Sequence, residues 1–175
     1  MIKLQRQKLT DPSGSPVLRS LLLDRGSLTR RLIALSHGQF RVRVDSMRWS
    51  MPLPWEARLI RARDRETVLT REVTLLCNDR PTVFARSLLP RRTLRGRFRA
   101  LRHLGTRPLG ELLFTDPAVR RGHTFFFTVQ NGAPLHSGAS ERITTARNEF
   151  WARASLFYIG NDPLLVTEIF LTDGE

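Results

Sequence analysis

A single cysteine, Cys77, stands in the 175 residues, which excludes an intrachain disulfide and any metal centre built from several cysteines. Cys77 ends an apolar strand-like run and reads as a small buried hydrophobe. No apolar run approaches the ~18 residues that a membrane-crossing helix needs. The start, Met1-Ile2-Lys3-Leu4-Gln5-Arg6-Gln7-Lys8, lacks the continuous apolar stretch of a secretory signal. A cytoplasmic protein with no stable membrane insertion is therefore expected. The chain also has no phosphate-cradling glycine loop and no dinucleotide fingerprint. Ser27, Ser137 and Ser140 sit in no nucleophile elbow. His37, His103, His123 and His136 have the spacing of neither a metal site nor a triad, and His103 suits a charge near a helix end.

What the chain has in excess is positive charge. Its formal net charge is +13, almost all from arginine, and one reading of such a balance is nucleic-acid binding. The arginines are spread along the whole chain, however. The densest group, Arg86 to Arg107, is not interleaved with aromatics as a base-stacking surface requires. A general positive field also draws small anionic substrates, so no nucleic-acid partner is expected. Hydrophobic residues make up 41%, ordinary for a globular chain, and the length suits one domain with its own core. No repeat or linker divides residues 1–175, and residues 1–15 are expected to be loosely held.

Periodicity orders the elements. Val17 to Leu23 is a short apolar run. Ser27 caps a helix over Leu28 to Ser36, with Leu28 and Leu32 inward and Gly38 just past its end. Gln39 to Trp49 alternates, placing Phe40, Val42 and Val44 on one face. Thr67 to Cys77 and Thr82 to Leu89 form a hairpin about the turn Asn78-Asp79-Arg80-Pro81. Arg91 to His103 reads as a helix with Leu94, Phe98 and Leu101 as its stripe, and Pro108 opens a further short helix. Thr124 to Gln130 and Phe150 to Ile159 read as strands, Asn131 to Ser140 as a loop. The last strand is Pro163 to Leu171. Hairpin-linked strands with a few short helices make an α+β fold with an antiparallel sheet.

Two charges stand in otherwise apolar strands. Arg71 shares a strand face with Leu69, Val73, Leu75 and Cys77, so it points inward. A buried guanidinium needs a carboxylate. That partner is either Glu168 or another acid of the chain, in a structural pair, or the carboxylate of a ligand held by the planar fork. Glu168 lies in the run Pro163-Leu164-Leu165-Val166-Thr167-Glu168-Ile169-Phe170-Leu171. There it is again either an ion-pair partner or a general acid or base in a dry site.

Taken in order, these pieces resemble the chorismate–pyruvate lyases. The resemblance runs through Leu21-Leu22-Leu23-Asp24 and Gly26-Ser27-Leu28-Thr29-Arg30-Arg31-Leu32, then Arg71-Glu72-Val73 with Leu75-Leu76-Cys77, then Phe84-Ala85-Arg86. It continues through Pro90 with Thr93-Leu94, through Arg107-Pro108-Leu109-Gly110 with Leu113-Phe114, and ends on Pro163 to Leu171. It implies short helices lying as flaps over an internal pocket, and cleavage of chorismate to 4-hydroxybenzoate and pyruvate, the first step toward ubiquinone. It implies no metal and no organic cofactor, and a monomer is expected. Carried over residue by residue, it places Arg71 on the ring carboxylate and Glu168 near the ring hydroxyl. Leu109 contacts the ligand through its backbone, and Leu28, where the family often has methionine, lies on the flap. Arg71 and Glu168 should then lie at the two ends of one ring rather than touching. Residues 116–149 match poorly. Where the family shows a glycine and paired arginines this chain has Ala152-Arg153-Ala154, which leaves a second carboxylate contact without a candidate. The alternative is a non-catalytic domain that binds an aromatic carboxylate, related to the effector-sensing domains of transcription regulators. Residues 1–20 are too short for the helix-turn-helix that usually precedes such a domain.

Overall fold

The computed structural model describes residues 15–172; most of the loosely held segment expected at residues 1–15 lies outside them. Six strands form one wholly antiparallel sheet in the order β1-β2-β3-β6-β5-β4. They are β1 (Phe40–Ser50), β2 (Val68–Cys77), β3 (Arg80–Leu89), β4 (Val119–Gln130), β5 (Glu149–Ile159) and β6 (Asp162–Phe170). The central pair β3 and β6 is buried along most of its length, whereas β1 and β4 are the edges. The β2–β3 turn is tight because Asn78 and Asp79 both accept the left-handed region, with φ of 50° and 60°, as a two-residue hairpin turn demands.

The helices α1 (Pro16–Leu23), α2 (Leu28–Leu35), α3 (Pro54–Leu59), α4 (Leu109–Thr115) and α5 (Pro134–Ser140) divide between the two faces of the sheet. One face packs on α3 and α5, through Phe84, Leu88, Phe127, Phe150 and Ile169 against Ile60, Leu135 and Ala139. The other carries two separate clusters. Leu18, Leu22, Leu28 and Leu32 of α1 and α2 cover Val73, Val83 and Phe170. Leu94, Phe98, Leu101, Leu109 and Leu113 cover Leu69, Leu89, Phe157 and Leu164. Where those two covers meet, the sheet carries polar residues.

Local chemistry fixes the elements that make the covers. Ser15 and Ser27 cap α1 and α2, their hydroxyls accepting from Leu18 N and Arg30 N. Beyond α2, Gly38 at φ 86° returns its N–H to the Ile33 carbonyl, which is the glycine stop read from the sequence. A buried carboxylate holds α3: Glu56 accepts from Leu53 N and binds Arg86, which also reaches Glu72.

Some expectations are corrected. Arg91 to His103 is not an α-helix but two 3-10 segments, Arg91–Thr93 and Gly96–His103. Gly96, at φ 52°, opens the second of them, and an α-helix would stack Arg91 on Arg95 and Arg95 on Arg99 as like charges. The stripe Leu94, Phe98 and Leu101 is nonetheless buried. Asn131 to Ser140 is not all loop: Pro134 opens α5, whose buried Leu135, His136 and Ala139 face the sheet. β4 begins at Val119, before the expected Thr124. Val44 is 36% exposed, because β1 shifts register between Val44 and Ser46 at the sheet edge. Cys77 is only partly buried, and burial still pushes its thiol pKa up.

Candidate active site

Strand register aligns the polar residues of the seam in two rows. Arg71 stands opposite Ser87, Ser87 opposite Val166, Val166 opposite Ser155 and Ser155 opposite Thr124. One step along, Val73, Ala85, Glu168, Arg153 and Phe126 follow in the same way. Each is on the inner face because side chains alternate along a strand. Two strand spacings and two residues of rise separate Arg71 from Glu168, about 12 Å between backbones.

A cavity opens between these rows and the helical covers. Its empty volume, mouth included, is ≈ 600 Å³. Leu28 and Thr29 of α2 and Leu109, Gly110, Leu113 and Phe114 of α4 form its roof, and Arg71, Glu168, Arg153, Arg121, Ser87 and Ser155 its polar floor. The two roof pieces approach closely at Gly110, where a Cβ would lie 3.3 Å from Thr29 Oγ1 and 3.6 Å from Ser27 Oγ.

Arg71 is 2% exposed. Its Nη2 donates to the carbonyls of Gly105 (2.9 Å) and Arg107 (3.1 Å), in the loop leading to α4. Its Nε is buried with no hydrogen-bond partner. Burial lowers its pKa to about 10, and among the described residues no carboxylate pairs with it. A planar fork with a spare donor facing a cavity suits a carboxylate arriving from outside the chain. The same side chain braces the loop that sets Leu109 at the first position of α4, where the amide has no acceptor within the helix.

Glu168 does meet an ion-pair partner, but the partner is Arg153. The Arg153 Nε donates to Glu168 Oε2, and its Nη1 donates to the carbonyls of Leu21 (2.9 Å), Leu22 (3.2 Å) and Asp24 (2.7 Å) at the end of α1. A guanidinium there satisfies carbonyls that a helix end leaves open. The sequence-level alternative of an Arg71–Glu168 pair is thus replaced by two separate charges at opposite sides of one cavity. All four residues carried over from the resemblance, Leu28, Arg71, Leu109 and Glu168, line it.

Arg153 and Arg121 are the site residues that the sequence reading passed over. Arg153 has the same signal as Arg71, a charge on the inner face of an apolar strand. The position where the second of the paired arginines is missing, Ala154, faces the opposite core and is fully buried there, so an arginine at that place would not point into the cavity. Arg121 left no alternation signal, because a register shift separates it from Thr124. Among the described residues, no cluster of histidine, cysteine and carboxylates could hold a metal ion.

The family model described as chorismate lyase matches residues 3–174. A protein of Methylococcus capsulatus named probable chorismate pyruvate-lyase is 42% identical over 155 residues, covering 88% of this chain and 94% of that protein. One of the same name from Thiobacillus denitrificans is 40% identical over 154 residues, covering 88% and 82%. Among solved structures, PhnF from Mycobacterium smegmatis superposes with a TM-score of 0.63 at 17% identity, over 87% of this chain and 66% of that one. The ligand-binding domain of a GntR-family transcriptional regulator from Bordetella bronchiseptica gives 0.57 at 23% identity, over 78% and 87%. These structures share the fold. The family match along nearly the whole length, together with relatives at such identity, shows that the chain belongs to the chorismate lyase family.

Proposed function

We propose that the protein is a chorismate lyase, converting chorismate to 4-hydroxybenzoate and pyruvate as the first step toward ubiquinone. The observation that carries this reading is the buried, carboxylate-free Arg71 facing one cavity with Glu168 about 12 Å away across the sheet. In this reading the Arg71 fork holds the ring carboxylate. Leu28 and Leu109 close on the ring from the roof, the Leu109 amide adding a donor. Glu168 sits beside the carbon that bears the ring hydroxyl.

The reaction needs little more. The ring loses a proton from the hydroxyl-bearing carbon, the neighbouring C–O bond to the enolpyruvyl group breaks, and the electron pair of the C–H bond completes the aromatic ring. The departing enolpyruvate takes a proton on its methylene carbon and leaves as pyruvate. Atoms and charge balance without oxidant, metal or organic cofactor. Aromaticity supplies the driving force, so the site contributes orientation and a fixed electrostatic frame. Glu168, held in place by Arg153, is the group positioned to accept the ring proton and pass it on.

The reading extends to a cytoplasmic monomer acting on a small soluble dianion, with nucleic acid no part of its function. Its test is direct: purified protein mixed with chorismate should develop the absorbance of 4-hydroxybenzoate with one equivalent of pyruvate. A second reading, a non-catalytic binding domain, has in its favour the shared fold with GntR-family ligand-binding domains. Binding of 4-hydroxybenzoate without any turnover of chorismate, beside an active reference enzyme, would establish that second reading and remove the first.

A further inference from the structure

We propose that Arg121 receives the second carboxylate of the ligand, the one borne by the enolpyruvyl ether, and so lets the cavity tell a dicarboxylate from the monocarboxylate product. This rests on the lyase reading. It begins with a feature of β4 that the lyase chemistry above does not use.

Arg121 stands opposite Phe157 and Thr124 opposite Ser155, with a register shift between them. On a regular strand, residues three apart face opposite sides. The extra residue of a bulge instead turns both toward the cavity, and re-aiming of a side chain beside a site is what bulges do. The bulge depends on Gly122. A Cβ there would fall 2.5 Å from Tyr158 Cε2 and 3.3 Å from Leu156 Cβ.

The guanidinium so aimed is held but not neutralised. It donates to the carbonyl of Arg25 and makes only long contacts to Thr124 Oγ1 (3.4 Å) and Ser155 Oγ (3.3 Å). It lies over the rings of Phe114 and Phe157, at 5.4 and 5.8 Å from their centroids. Among the described residues no carboxylate pairs with it. Burial first, and then the repulsion of Arg153, lowers its pKa, with the attraction of Glu168 and Asp24 offsetting this only in part. These are the marks of Arg71 repeated at the other side of the cavity, next to Glu168.

Charge matching points the same way. Arg71, Arg121 and Arg153 face a single carboxylate, Glu168, in this cavity, and Arg153 is the one bound to it. The remaining pair of cations matches a dianion, whereas a second ligand carboxylate with no cation would be strongly disfavoured in apolar surroundings. Position agrees as well. Arg121 also lines an outer groove with Arg61, Arg120, His123 and Tyr158, so it stands between the cavity and a basic approach from solvent.

The test crosses two proteins with two ligands, in the manner of a double-mutant cycle. The ligands are 4-hydroxybenzoate and 3-(1-carboxyvinyloxy)-4-hydroxybenzoate, which carries the enolpyruvyl ether on the carbon next to the hydroxyl as chorismate does, and whose ring is already aromatic and cannot eliminate. The proteins are the wild type and Arg121→Met, which keeps the stem over Phe114 and Phe157. Calorimetry should show the wild type preferring the dicarboxylate. The variant should lose that preference by roughly ten- to a hundredfold, the range of a charge-assisted contact, while 4-hydroxybenzoate affinity moves by no more than about threefold. In turnover, KM for chorismate should rise far more than kcat falls. A dicarboxylate preference that survives the substitution, or an equal loss for both ligands, would overturn the assignment. Should Arg121→Met fail to fold, Arg121→Lys replaces it. That variant keeps the charge without the fork, so the preference should shrink severalfold, and an unchanged preference counts against the proposal. A wild type that binds both ligands but leaves chorismate intact would refute the lyase reading while the ligand comparison still decides the role of Arg121.

Discussion

Replacing Arg71 by methionine removes a charge while keeping much of the apolar stem. Its energetics can be worked out in advance. Burial without a counter-ion lowers the arginine pKa from its ordinary value to about 10, on the order of 3 kcal/mol against the charged form in the folded state. The folded chain thus binds this proton more weakly than the unfolded chain. In the window between those two values the unfolded state holds more protons, so stability rises with pH there, and below about 10 the charged Arg71 subtracts from stability. Its two bonds to the Gly105 and Arg107 carbonyls return about 1 kcal/mol each, and both residues are exposed enough for water to replace the arginine. Arg71→Met should therefore fold with a stability within about 2 kcal/mol of wild type, a melting shift of no more than roughly 8 °C. Its advantage or deficit relative to wild type should move toward the wild type as pH climbs through about 10. Binding should respond quite differently. Losing two charge-assisted bonds to a carboxylate removes roughly 3–5 kcal/mol, a hundred- to several-thousandfold in affinity. Thermal melting with 4-hydroxybenzoate at a hundred times its wild-type Kd should stabilise the wild type by about 2.7 kcal/mol and the variant hardly at all. The reasoning is refuted if the variant makes 4-hydroxybenzoate at the wild-type rate, or if it loses more than about 4 kcal/mol of stability while binding the product normally, which would make Arg71 a structural strut.

The other expectations are briefer. Glu168→Gln keeps shape and removes the proton acceptor. Turnover should drop by roughly a hundredfold or more with the fold retained, since Arg153 keeps its three carbonyl contacts; activity within a few-fold of wild type would discard Glu168 as the base. Gly110→Val sets a branched side chain against Thr29 and Ser27 and should pry α4 from α2, raising KM and the dissociation rate of 4-hydroxybenzoate in stopped-flow measurements. Unchanged constants would mean that the two covers need not meet. Glu56→Gln leaves the buried Arg86 with Glu72 as its remaining carboxylate and should cost about 1–3 kcal/mol in denaturant unfolding, with turnover per folded molecule preserved at low temperature.

How much of this could be read from the chain depends on the kind of signal each residue leaves. Arg71 and Glu168 were visible because a charge interrupts a face that is otherwise Leu, Val and Phe, and a two-residue period cannot hide it. Arg153 was equally visible in principle, flanked by Ala152 and Ala154 with Ser155 and Phe157 two and four residues on, but it was read as half of a pair rather than as an inward charge. Arg121 was not visible. The bulge that aims it breaks the period, and a bulge is a compromise with Tyr158 and Leu156 across the sheet, far away in sequence. The arginine-rich segment misled for a related reason. Leu94, Phe98 and Leu101 fit a helical stripe, yet the repulsion of stacked arginines and the left-handed Gly96 decide the backbone. The partner of Glu168 lay beyond any local pattern, since only the register of β5 on β6 sets Arg153 beside it.

The sheet that carries the cavity is open, and openness has a consequence for life at high concentration. Both edges expose unpaired backbone groups to any other chain able to add a strand. The β1 edge presents Arg48 beside Arg41 and Arg43, which pair with Asp79 and Asp45, and the β4 edge carries Arg120 and His123 at exposed positions. Two such molecules approaching edge to edge bring cations against cations before a single backbone bond can form. Part of the surplus charge thus works as an insulator between molecules: neutralising those border arginines should reveal itself first in aggregation on standing, with catalysis untouched.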